Sequence, residues 1–271
     1  MANAPDVSAV LCVTAFRDIG RGDWGGPGDP HGEWRRSSAE YVSWFLNLAA
    51  SPVRLVCFCD EPVASVLREA APGVDVRPYD EEDTLFRHLP AERRIMASPE
   101  FAARLGPARL RHPEHSVPEY NLVQHSKTSF VHRAASLPEF AACTHVAWVD
   151  FGYLRSPSAV PTPEQVRRTW SAVATPDRIT YASFRATVRP ADVPDPETLC
   201  RTAPSVLQGS MFVLPRHLAA WYEAEYERSL LAYHALGLAD DDQALALHVL
   251  KRHPERFALR LRPEWFSMFA S

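Results

Sequence analysis

Hydrophobic and polar positions alternate in two distinct rhythms along the chain. Continuous apolar runs of strand length cover residues 7–16 (VSAVLCVTAF), 53–59 and 74–79, the form expected of strands covered on both faces. Helical patterns separate them. In 37–49, Tyr41, Trp44, Phe45 and Leu48 recur at three and four residues and make one apolar stripe. Residues 63–71 predict a short helix with Pro62 near its first turn, and the acidic run 80–83 closes the third strand. Strand, helix, strand, helix, strand predicts parallel pairing through right-handed crossovers.

Residues 81–118 are mixed and predict short helices and loops on the surface. A helix is then predicted over 120–136, and a strand over 145–153 (HVAWVDFGY) that carries one acid near its end. Another helix follows over 163–173, then strands over 179–184 and 206–214 and a long amphipathic helix over 216–235. The helix predicted for 240–251 starts with acids, which suits the helix dipole, and 257–261 is a closing strand. No repeat, low-complexity tract or linker interrupts this order. The pattern predicts one α/β domain over 1–271, with a mostly parallel central sheet flanked by helices.

Composition narrows the class. With 46% hydrophobic residues, the 271-residue chain has too much apolar surface to be disordered. No apolar run approaches the roughly 18 residues that cross a bilayer, so no transmembrane segment is expected. Residues 1–8 have no basic residue ahead of an apolar stretch, unlike a secretory signal. A net charge of −4 leaves no electrostatic footprint for nucleic acid or anionic lipid. A soluble, cytoplasmic protein with no nucleic-acid partner is the expectation. Cys12, Cys57, Cys59, Cys143 and Cys200 are irregularly spaced without a C-x-x-C pair, which predicts reduced, buried thiols. Six of the 11 glycines (Gly20, Gly22, Gly25, Gly26, Gly28 and Gly32) mark one long flexible loop. Such density predicts a lid that closes over a ligand.

In open α/β sheets, ligands bind outside the carboxyl ends of the strands, and polar residues gather there. The first strand runs into Thr14, Arg17, Asp18 and Arg21. A later strand holds Gln208 and Gly209, and the acidic helix start supplies Asp240, Asp241 and Asp242. Asp150, directly after an apolar run, is partly desolvated, which is costly without a cation or hydrogen-bond donors. A hard divalent ion bridging Asp150 to a diphosphate would supply that partner; capping of the next turn, or a pair with Arg155, would also serve. Lys127 is one of only two lysines among 29 basic residues. Tyr120, Gln124 and Lys127 share a helix face at three- and four-residue spacing, and that face can be offered to a ligand. The acids at 240–242 also read as a helix cap. Asp150-Phe151-Gly152 spells a kinase metal-binding triplet, but the other kinase elements are missing. No G-x-G-x-x-G follows the first strand, so a dinucleotide is not supported.

The segments TAFRDIGRGDW (14–24), YNLVQHSK (120–127) and WVDFGY (148–153) resemble the HtrL/YibB family of bacterial proteins. That family is associated with cell-envelope polysaccharide genes and resembles GT-A glycosyltransferases. The resemblance extends over nearly the whole chain and implies a GT-A-like fold. It implies a glycosyltransferase that moves a sugar from a nucleotide-sugar donor to a hydroxyl of a saccharide or small-molecule acceptor. GT-A enzymes commonly hold Mn2+ or Mg2+ with an Asp-x-Asp motif; here Asp150 matches the first aspartate and Gly152 stands at the second position. The resemblance further implies donor binding by Thr14, Arg17 and Arg21, with Tyr120 and Gln124 on the substrate side. Arg21 or Lys127 would neutralise the diphosphate leaving group, and Gln208 and Gly209 would line the donor-sugar pocket. Asp241 or Asp242 would be the base in an inverting reaction; a retaining reaction needs none. Gly152 also leaves open a non-catalytic protein of the same fold that binds a glycan or a partner in envelope assembly.

Overall fold

The computed structural model describes residues 9–26 and 29–270. Seven strands form one sheet in the order β3-β2-β1-β4-β6-β5-β7. They are β1 (Val10–Phe16), β2 (Arg54–Cys59), β3 (Asp75–Pro78), β4 (His145–Val149), β5 (Ile179–Ser183), β6 (Leu207–Pro215) and β7 (Phe257–Leu261). β1 pairs in parallel with β2 and β4, β2 with β3, and β5 with β7. Only β6 runs against both of its neighbours in the sheet, β4 and β5. The sheet is thus mostly parallel, as the pattern predicts. The reversed strand brings the start of β6 beside the end of β4: Val149 pairs with Met211, and the Asp150 N–H donates to the Ser210 carbonyl at 2.9 Å.

Side chains alternate across this sheet and build a core on each face. Val10, Cys12 and Phe16 pack with α1 (Ser38–Ala49), α2 (Glu61–Ala70) and α7 (Pro163–Val173). Leu11 and Val13 face the opposite layer, which includes α6 (Lys127–Ser136), α9 (Ala219–Ala235) and α10 (Asp242–Arg252). Local chemistry sets the helix starts. Ser37 and Glu40 form a reciprocal capping box on α1, and Asp60 caps α2 ahead of Pro62. All five cysteines are buried. Among the described residues no helix is long and apolar enough to cross a membrane.

Several boundaries differ from the sequence pattern. The helix expected over 120–136 is two, α5 (Pro118–His125) and α6, with Ser126 between them. The Ser126 hydroxyl donates back to the Leu122 carbonyl at 2.7 Å, a bond that bends helices. The strand expected to reach 153 ends at Val149, because Asp150 opens a turn closed by the Tyr153 N–H on its carbonyl. The region 81–118 does contain short helices, α3 (Leu89–Met96) and α4 (Pro99–Leu105), but it is not merely surface: Leu85, Phe86, Phe101 and Leu105 are core residues. The glycine-rich segment holds two 3-10 turns, at Arg21–Asp23 and Gly32–Trp34. Gly28, and the first two residues of the predicted first strand, Val7 and Ser8, lie outside the described residues.

Candidate functional site

A cleft of about 520 Å³ opens at the carboxyl ends of β1 and β4. Asp150, the start of β6 and the start of α10 form one wall, α5 and the head of α6 another, and the segment after β1 the third. Arg17, Arg21, Tyr120, Gln124 and Lys127 all line it. So do Asp150, Gly209, Asp241 and Asp242. Thr14 and Gln208 do not.

Lys127 is the hinge of the acidic wall. Its ammonium, on a residue only 4% exposed, donates to the Gly209 carbonyl at 2.9 Å and to Asp242 Oδ2 at 2.7 Å. It also pairs with Asp150 Oδ1 at 3.1 Å. An ammonium has three N–H donors, and three acceptors already surround this one. Asp150 Oδ1 also accepts the Trp148 indole N–H at 2.7 Å. The partner that the desolvated Asp150 needs is therefore Lys127, helped by Trp148, and not Arg155. Lys127 lines the cleft, and its three donors are already engaged within the protein.

Asp241 and Asp242 sit at the start of α10 in different roles. Asp241 is the N-cap: Oδ1 accepts the Gln243 and Ala244 N–H groups at 3.0 and 3.4 Å, and Oδ2 accepts the Gln243 side-chain amide at 2.9 Å. Burial, reinforced by Glu114, pushes its carboxyl up to about 6. Asp242 is likewise pushed up to about 6; burial outweighs Lys127, which pulls it down, and Asp241 adds to the rise. Lys127 shifts up as well, because Asp150 and Asp242 together overcome the burial that would neutralise it. One ammonium thus serves two carboxylates and stays charged, while Asp242 remains only partly compensated.

Two glycines are fixed by close approach. A β-carbon on Gly209 would fall 2.7 Å from Asp242 Cγ, so Gly209 admits the Asp242 carboxylate to the Gly209 carbonyl's own partner, Lys127. The close approach expected for a donor sugar at Gly209 is made by a side chain of the protein. At Gly152 a β-carbon would lie 2.8 Å from the Trp44 ring and 3.2 Å from Tyr41. The second acid of an Asp-x-Asp pair has no room there.

The resemblance implies Mn2+ or Mg2+ held by an Asp-x-Asp pair, and the second acid of that pair is missing. Asp150 gives one oxygen, Oδ1, to the Lys127 ammonium and the Trp148 indole. Among the described residues no group of three or more His, Cys, Asp or Glu side chains is arranged to hold a metal ion. A divalent ion here would rest on Asp150 Oδ2 and on oxygens of a bound substrate.

The remaining predicted residues divide by their partners. Arg17 pairs with Glu81 and lies 4.8 Å from the centre of the Phe86 ring, so its charge is already met. Arg21 donates to the Tyr41 hydroxyl at 2.5 Å and to the Trp34 carbonyl at 2.6 Å, with Trp24 and Tyr120 stacked against it. Thr14 is fully buried and faces the α1 side of β1, away from the cleft. Gln208 points to the chain end, where its amide donates to the carbonyls of Arg262 and Glu264. The β5–β6 register shifts by three residues between the pairs Tyr181–Phe212 and Ser183–Leu207, and an odd shift exchanges the faces of a strand. Sequence reasoning missed Arg36, Trp265 and Phe266, which line the same cleft, and offered Arg155, also in its lining, only as a partner for Asp150. Nothing in their spacing marks them.

A family model described as bacterial protein of unknown function (HtrL_YibB) matches residues 8–271. The chain belongs to the HtrL_YibB family. Protein HtrL of Escherichia coli is 31% identical over 159 residues, which are 56% of this chain and 53% of that protein. The match thus spans about half the length of this curated HtrL_YibB relative. The crystal structure of mouse xyloside xylosyltransferase 1, apo form, is 12% identical, with 93% of this chain and 84% of that one covered at a TM-score of 0.45.

Proposed function

We propose that the chain is a GT-A-like glycosyltransferase that takes a sugar from a nucleotide-sugar donor and places it on a hydroxyl of a saccharide or small-molecule acceptor. One observation carries this reading: a single cleft at the strand ends is lined by guanidinium groups and by carboxylates together. The guanidinium groups suit an anionic donor, and a carboxylate can supply the base. Asp242 is the better candidate, since both oxygens of Asp241 are engaged by the helix start. A carboxyl held near 6 is ionised at neutral pH yet more basic than an ordinary aspartate.

In the inverting form of the reaction the acceptor oxygen attacks the anomeric carbon and its proton passes to Asp242. The anomeric C–O bond to the donor phosphate breaks, and the nucleoside diphosphate leaves with the electron pair. Lys127 holds Asp242 and Asp150 in place while this happens. The test is a panel of UDP-, GDP- and dTDP-sugars with candidate acceptors, read by mass spectrometry. Turnover that falls by about 10²–10⁴ in Asp242→Asn supports the reading. A chain that cleaves no donor and whose melting temperature no donor shifts overturns it. Tight glycan binding without turnover would favour the non-catalytic alternative.

A further inference from the structure

Besides Lys127, three guanidinium groups that make no salt bridge among the described residues line the cleft. Arg21 bonds a hydroxyl and a carbonyl, and its Nε is buried with no partner among the described residues. Arg36 donates to the carbonyls of Glu33 and Arg35. Arg155 sits over two rings, 4.9 Å from the centre of Trp44 and 4.1 Å from that of Phe266. Arg21 and Arg155 meet around one aromatic pair: Arg21 is 5.7 Å from the centre of Tyr41, whose ring packs edge-on to Trp44 at 5.4 Å. Burial holds the Arg155 guanidinium below its ordinary value, and the charges of Arg36 and Arg21 add to the effect against Tyr41 and Asp150. Arg17 stands apart, neutralised by Glu81.

Like charges gathered in a partly dry cleft repel one another unless an anion completes the set. Planar guanidinium forks match phosphate oxygens in two-point fashion, and fixed rings beneath them reduce the ordering that binding would otherwise require. The cation demanded at the carboxylate wall is already supplied by the ammonium of Lys127. We infer that Arg21, Arg36 and Arg155 form a pyrophosphate subsite that works without a divalent ion. Its use for a sugar donor rests on the transferase reading; its affinity for pyrophosphate does not. In that use the arginines would meet the charge that grows on the leaving diphosphate, a task left to metal ions elsewhere.

The experiment is calorimetric titration of the full chain with sodium pyrophosphate in buffer containing EDTA. Binding is expected in EDTA and weakens as salt rises. Arg155→Gln keeps a polar stem on the rings but removes the charge, and Arg36→Ala removes a second; each should lower affinity about tenfold, the loss of one charge-assisted contact. Arg155→Lys keeps the charge without the fork and should fall between. Unchanged melting temperatures in these variants confine the effect to binding. Pyrophosphate that binds only once Mg2+ is added, or binds Arg36→Ala/Arg155→Gln like the parent, overturns the inference. Binding that depends on the arginines in a chain with no transferase activity keeps the subsite and removes the transferase reading. Donor turnover that depends on Mn2+ and ignores the arginines does the reverse.

Discussion

The ammonium of Lys127 meets the carboxylate of Asp242 at 2.7 Å, across 115 residues of chain. The contact ties the head of α6 to the head of α10 beneath the start of β6, and Asp150 joins it at the end of β4. Four elements distant in the chain are held by one nitrogen. Lys127→Met leaves the buried Asp242 and the partly exposed Asp150 without their cation, and removing one member of a buried ion pair typically costs about 3–5 kcal/mol. Urea denaturation should show a loss of that order. A midpoint equal to that of the parent would show that the pair is not structural.

Gly209→Ala tests the close approach of Asp242. The added methyl must displace the carboxylate whose Cγ lies 2.7 Å from its position, and overpacking of this kind costs about 1–3 kcal/mol. The cost should shrink when Asp242 is already shortened. In a double-mutant cycle, Gly209→Ala in the Asp242→Ala background should therefore destabilise by clearly less than it does in the parent. Additive effects would place the methyl in open space.

The raised carboxyl of Asp242 carries a definite pH signature. Its folded value, about 6, stands above the reference of 3.8, so the folded state binds the proton more tightly than the unfolded chain. That contribution is fully present below about 3.8 and is lost as pH rises through about 6. An amide does not titrate. The stability of the parent relative to Asp242→Asn should fall from pH 4 to pH 6 and level off above it. A flat difference over that interval would show an ordinary, solvated aspartate.

Thr14 offers a contrast. It is fully buried and its hydroxyl has no hydrogen-bond partner among the described residues. An unsatisfied buried hydroxyl costs about 1–3 kcal/mol, and valine has nearly the same shape. Thr14→Val should raise the melting temperature. A fall would reveal a partner for the hydroxyl that the packing around β1 does not show.

Much of the architecture can be read from the chain because burial on both faces leaves continuous apolar runs, and β1, β2 and β4 are such strands. The presence of both Asp150 and Lys127 at the cleft was legible too, since one closes an apolar strand and the other shares a helix face with Tyr120 and Gln124; their direct pairing is a feature of the fold. Other features carry no such mark. Gln208 faces away because of an irregularity in the pairing of β5 with β6, and a pairing defect between distant strands writes nothing into either one. Arg155 and Arg36 are hidden for a different reason: among so many arginines no single one stands out. What sets these two apart is the absence of an acidic partner: Arg155 is met by Trp44 and Phe266, brought from elsewhere in the fold, and Arg36 turns back on the carbonyls of Glu33 and Arg35. The split at Ser126 follows from a hydroxyl turned inward, a choice that apolar spacing does not record.

The packing of Trp44 and Tyr41 against Gly152 also constrains how this chain can change. An acid at 152 is closed to any lineage that keeps the indole, since the first atom of the new side chain already collides. The order of events is therefore fixed: the ring at 44 must shrink before a second carboxylate can arrive. With that ring would go one of the two rings beneath Arg155, so gaining a second acid means loosening this guanidinium.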